Sequence, residues 1–263
     1  MKETANVQFS VGRRVKFKEA DKFMFHEVID RLLRHWKANF FTEPVLILTF
    51  IFCFIVALRR HYKEKERILF VFYFAMGVTL FVFANTVDIF GLFGKRSTTF
   101  LEVCNTIFEL VEFIAFYFFF KKCLGKRYHR ISQIFLLVLL SIMVIFFCGI
   151  FLVPSYSLAQ IKRDSLTINT VEFLFLGIWC LGYLYEVFRL PSAANLVRRP
   201  SFFITCSTLF YSTLLIPFFL VAPEILERER WFANMLFSCH YVLLTILVLT
   251  IFKAFLWRKP ITI

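Results

Sequence analysis

Of the 263 residues, 59% are hydrophobic and 20% aromatic, the mean hydropathy is +0.72 and the formal net charge is +13. A soluble domain is about half apolar, so this composition excludes one and assigns the chain to a bilayer. The charge does not call for nucleic acid, because the basic residues lie in short loops beside apolar stretches and in one arm, where membrane topology and anionic lipid account for them.

The arm occupies residues 1–41. Met1–Ala20 is polar and basic, with no apolar core followed by small residues, and does not read as a cleavable signal. Insertion is expected to begin at the first span. Further on, Phe17, Ala20, Met24, Val28, Leu32 and Trp36 recur at spacings of three and four, with Lys18, Lys22, Asp30 and Arg34 at other positions. That periodicity predicts an amphipathic helix. Its apolar side has two equally suitable partners, membrane lipids at the headgroup boundary and the bundle's own loops.

Seven apolar stretches follow, at 43–58, 68–90, 100–120, 131–153, 166–188, 201–222 and 232–256. A helix needs about 20 mainly apolar residues to cross the hydrocarbon core. The predicted fold class is therefore all-α, a polytopic seven-transmembrane-helix bundle over 42–263 behind the N-terminal arm. A β-barrel does not fit, since its strands alternate apolar and polar residues, whereas Ile134–Val153 is almost continuously apolar. Pro217 lies deep in the sixth span, where its missing donor predicts a kink. Trp231 and Trp257 bracket the seventh span as interfacial anchors. Cys53, Cys104, Cys123, Cys148, Cys180, Cys206 and Cys239 form no CxxC pair and read as small packing residues.

Loop charge supplies a direction. Sixteen Lys and Arg lie in Arg59–Arg67, Lys121–Arg130, Arg189–Arg199 and from Lys253 onward, against six in the intervening loops. By the positive-inside rule the richer loops face the cytoplasm, which places the N-terminus outside and the C-terminus inside. The arm holds nine more basic residues, but only Arg31, Arg34 and Lys37 stand near enough to the first span to count.

The spans also carry polar stripes. Glu102, Asn105, Glu109 and Glu112 are spaced three, four and three, so they share an arc of about 80° on one helix. Acidic groups near the bilayer centre cost about 2.5 kcal/mol or more even on lenient scales, which turns this face into the bundle. Asn169, Glu172, Leu176, Trp179, Tyr183 and Glu186 form a second stripe in the fifth span, and Asn234, Ser238, Tyr241 and Thr245 a third in the seventh. His240 lies beside the third stripe, and the second span ends with Asn85 and Asp88. With the N-terminus outside, Asp88, Glu102, Asn105, Glu109, Asn169, Glu172 and Asn234 share the outer half. Together with Glu112, His240 and Tyr241 they are the candidate lining of an outward-facing acidic cavity for a small cationic or polar ligand or protons. The same residues would also serve as interhelical hydrogen-bonding glue, worth about 0.6–2 kcal/mol each.

The motifs of established chemistries are missing. No HExxH zinc pair, GxSxG elbow or P-loop occurs. No cofactor or metal is expected. Lys253, the one lysine in the seventh span, lies near its end, which does not suit a retinal Schiff base. Neither a DRY-type triplet after the third span nor an NPxxY in the seventh occurs.

From Asn105 onward, Ile107-Phe108-Glu109-Leu110-Val111-Glu112-Phe113, Leu184-Tyr185-Glu186-Val187-Phe188, Arg199-Pro200-Ser201-Phe202-Phe203-Ile204 and Leu209-Phe210-Tyr211 carry a resemblance. Over about the last three fifths the chain resembles an uncharacterised group of bacterial seven-span membrane proteins, some encoded beside sensor histidine kinases. Phe203 stands where that group would carry Trp, and the arm is longer than its pattern. The resemblance implies no activity and leans toward signalling, with a partner such as a sensor kinase. The expected function is a non-enzymatic sensory or accessory protein of a bacterial cytoplasmic membrane. A small-solute or ion transporter is one alternative, although Val111-Glu112-Phe113 and Val171-Glu172-Phe173 lie in helices of the same direction and make no inverted repeat. An intramembrane enzyme acting on lipid is the other, with Glu109, Glu112 and His240 as acid and base candidates.

Overall fold

The computed structural model describes residues 42–61, 68–90, 97–153, 156–189, 199–228 and 230–256, with 29, 30, 33 and 37. Most of the amphipathic segment, several of the basic loop residues and Trp257 lie outside the described residues. Seven helices have their full extent among the described residues: α1 (Thr42–His61), α2 (Ile68–Phe90), α3 (Ser97–Cys123), α4 (Lys126–Leu152), α5 (Leu158–Phe188), α6 (Pro200–Arg228) and α7 (Arg230–Phe255). Each contains a stretch long and apolar enough to cross a membrane. The protein is an all-α seven-helix bundle of the multi-pass membrane class.

Six helices close into a ring, each packed on the next in the order α1, α2, α3, α5, α6, α7 and back to α1. α4 stands outside the ring, packed on α5 and α3. It is the most apolar of the seven and the least buried in protein. The pairing of those two properties is physical, since lipid tails are as apolar as leucine and a face need not be covered by protein to be satisfied. Its contact with α5 includes the ring stack of Phe135 on Phe175, 4.2 Å between centroids.

Small residues and aromatic rings set the helix spacing. Gly77 lets α2 approach α1 so closely that a Cβ there would meet the Phe50 ring at 2.4 Å. Phe50 in turn packs against Tyr73, Phe81 and Phe108. α6 presents Ser201, Thr205, Thr208 and Ser212 on one face, all buried, a small-residue stripe of the type that draws membrane helices together. A Cβ on Gly177 of α5 would come within 3.6 Å of Ser212 Oγ, and the Tyr183 and Ser201 hydroxyls are 2.8 Å apart.

The helices outrun the apolar stretches. α5 begins at Leu158, not at 166, because Ser157 and Gln160 form a capping box: Gln160 N–H donates to Ser157 Oγ at 3.3 Å and Ser157 N–H to Gln160 Oε1 at 2.9 Å. Its 31 residues correspond to about 46 Å, well over the hydrocarbon thickness, so Lys162, Arg163 and Asp164 ride on the first turns of a spanning helix. Just before it, the Tyr156 hydroxyl donates to the Asp164 carboxylate. α6 continues through both Pro217 and Pro223. Pro217 donates no N–H, which leaves the Thr213 carbonyl without its usual helical partner.

Candidate functional site

Inside the ring is a cavity of about 140 Å³, lined from α2, α3, α5, α6 and α7. It occupies the half of the bundle that holds the first halves of α3, α5 and α7. α3 contributes Glu102, Asn105, Glu109 and Glu112, and α5 contributes Lys162, Ser165, Asn169 and Glu172. His240 and Tyr241 come from α7 and Tyr211 from α6. Phe81, Phe108, Phe173, Phe219 and Phe237 supply much of the apolar wall.

Eight of the ten residues singled out in the sequence therefore line one space. Asn234 stands one turn before Ser238, whose hydroxyl donates to the Asn234 carbonyl at 2.8 Å, and does not line the cavity. Asp88 belongs to α2, but its side chain lies outside the described residues.

The cavity is layered. At the rim, Glu102 has Lys162 as an electrostatic neighbour and the Ser165 hydroxyl beside it. Thr106 ties α3 to α5 at that level, its hydroxyl donating to the Glu102 carbonyl at 2.9 Å and lying 3.3 Å from Ser165 Oγ. One layer in, the Asn169 side chain lies beside the Glu109 carboxylate. At the base are Glu112 and Glu172, 3% and 1% exposed, each near the midpoint of its helix. His240 packs its ring against Tyr211, Phe219 and Tyr241.

The inner layers are short of donors. Glu109 Oε2, Glu112 Oε1, Asn169 Oδ1, both carboxylate oxygens of Glu172 and His240 Nδ1 are buried with no hydrogen-bond partner among the described residues. The Asn169 oxygen only accepts, the carboxyl oxygens only accept while their groups are ionised, and the imidazole nitrogen accepts or donates according to its tautomer. An unpaired buried polar group costs about 1–3 kcal/mol and a charged one more. A cluster of them on residues that line one space is unlike simple glue, whose groups satisfy one another. Among the described residues, no three His, Cys, Asp or Glu side chains converge as a metal site requires.

The sequence reading did not include Lys162, Ser165 or Tyr211. The first two were legible, since Lys162, Ser165, Asn169 and Glu172 continue the α5 stripe at spacings of three, four and three. They fell in what hydropathy marked as loop. Tyr211 carries no local signal, because a single Tyr in an aromatic-rich span looks like packing. Glu43 forms a separate polar clamp between α1 and α2, accepting from Asn85 Nδ2 at 2.8 Å.

No family model matches the chain, and no curated protein or solved structure matches it either.

Proposed function

We propose that this protein is a sensory or accessory module of a bacterial cytoplasmic membrane, with its N-terminus outside and its C-terminus in the cytoplasm. The cavity opens outward, receives a small cationic or donor-rich ligand or a change in proton concentration, and biases a signalling partner such as a sensor kinase. One observation carries this reading: side chains from α3, α5 and α7 that line one interior space also hold buried polar atoms with no hydrogen-bond partner among the described residues. A ligand that satisfies them stabilises whichever arrangement of the helices it fits, and so shifts the bundle's population. Pro217 supplies a place for α6 to bend, since its helix lacks one backbone hydrogen bond there.

The test is thermal unfolding of the purified full chain against a panel of small cations, neutral polar solutes and pH steps. At least one condition should stabilise the wild type and lose its effect in Glu112→Gln while helicity is retained. If every stabilising condition acts equally on wild type and variant, the cavity is not the receptor. Reporter fusions at Ile263 test the direction, and an extracytoplasmic reporter there would turn the cavity mouth to the cytoplasm.

A further inference from the structure

Glu112 and Glu172 reach the base of the cavity from the neighbouring helices α3 and α5, are almost wholly buried and keep unpartnered oxygens. Glu109 Oε2 and Asn169 Oδ1 add two more acceptors just above them. With the carboxyls ionised, a ligand that satisfies these oxygens brings hydrogen-bond donors as well as positive charge. A primary ammonium carries three N–H donors and a full charge. A quaternary ammonium carries the charge but no donor, and would leave every one of these oxygens unpaired. A bare metal ion needs its ligands to converge on one point, which these side chains do not do among the described residues.

Phenylalanine and leucine side chains make up much of the rest of the wall. The Phe173 and Phe219 rings stack with centroids 5.4 Å apart, and Phe108 and Leu244 also line the space. A ligand that is polar throughout would set donors and acceptors against hydrocarbon. About 140 Å³ admits a small molecule, well below the usual size of a drug-binding pocket.

Resting on the receptor reading above, we propose that the cavity binds a primary ammonium on a short apolar stem, its N–H groups donating to Glu112 and Glu172 and its stem lying along Phe173 and Phe219. The charge-assisted hydrogen bonds confer selectivity for the head group, and the rings add apolar contact area along the stem.

The test compares n-butylammonium, butyltrimethylammonium and potassium as probes of the full chain in lipid nanodiscs, by thermal unfolding and by calorimetric titration. Butylammonium should raise the melting temperature saturably. The quaternary analogue and potassium should bind roughly ten- to a hundredfold more weakly, the loss expected when charge-assisted donors are removed. Glu172→Gln should weaken butylammonium by a similar factor, and Glu112→Gln provides the same readout should the first variant fail to fold. Equal binding of butyltrimethylammonium overturns the primary-ammonium assignment while leaving a cation receptor standing. Equal binding of butylammonium to wild type and to both variants places it elsewhere and also overturns the proposal. If no butylammonium binds but another solute stabilises the wild type and not Glu112→Gln, the ligand class is wrong and the receptor reading survives; if none does, both fall.

Discussion

The Glu186 carboxylate of α5 accepts a hydrogen bond from the Gly125 backbone N–H at 2.9 Å, across 61 positions of sequence. Gly125 is the N-cap of α4 and has no side chain with which to cap it. The first N–H groups of a helix lack intrahelical acceptors, and an anionic side chain there is also favoured by the helix dipole. Glu186 thus ties the outlying α4 to the ring. It does so from the helix that also carries Glu172 at the cavity base, about 21 Å away along the axis.

Removing that tie should loosen α4. Glu186→Ala is expected to destabilise the protein by about 1–2 kcal/mol, the usual worth of a hydrogen bond to a charged acceptor, and Glu186→Gln by less because its amide oxygen still accepts. Gly125→Ala should behave like Glu186→Ala, since its Cβ would lie 2.7 Å from Glu186 Oε1 and displace the carboxylate. Equilibrium unfolding in mixed micelles measures all three, and an unchanged Glu186→Ala would refute the assigned role.

Gly77 should be intolerant of a side chain. Alanine has the higher helix propensity by roughly 1 kcal/mol, but at this position its methyl would strike a Phe50 ring that Tyr73, Phe81 and Phe108 hold in place. Gly77→Ala is expected to cost about 1–3 kcal/mol net of that gain. Phe50→Leu combined with it should recover part of the loss, seen as non-additivity in a double-mutant cycle.

The donor shortage of the cavity predicts a trade between stability and binding. Glu172→Gln replaces a carboxyl, acceptor-only while ionised, by an amide with two donors, and Glu109, Glu112 and Asn169, each with an orphaned oxygen, line the same space. The ligand-free variant should be more stable than wild type by about 1 kcal/mol for each new hydrogen bond. Lower stability with normal helicity would show that Glu172 already has the partner it needs.

Tyr156 should make the α4–α5 connection sensitive to alkali. Burial, its hydrogen bond to Asp164 and the Asp164 charge push its phenol up to about 12. The folded protein thus favours the neutral phenol more strongly than the unfolded chain does. That contribution is complete below the unfolded value of about 10 and is lost as pH rises through the folded one. In a series of melting curves across this window, wild type should lose an increment of stability that Tyr156→Phe does not.

Much of the architecture is local and so was legible. Each span announces itself by about 20 consecutive apolar residues, and a polar stripe is periodic within one helix, so Glu102, Asn105, Glu109 and Glu112 could be put on one face without a neighbour in view. Helix ends were read less well, because the hydrocarbon limit and the capping signal at Ser157 and Gln160 are different physical events. The loop charges around Lys162 masked its place on the α5 stripe for the same reason.

Residue order by itself determined the solvent, the number of helices and which face of each is polar, because these follow from backbone hydrogen bonding in lipid and from 3.6-residue periodicity. Tertiary structure alone decided that α3, α5 and α7 turn those faces to one cavity, that Tyr211 joins them, that Asn234 does not, and that α4 is left outside the ring. Neighbour choice in a membrane rests on close packing at sites such as Gly77 and the α6 small-residue stripe. Hydrophobicity cannot encode it, since lipid and protein interiors are almost equally apolar.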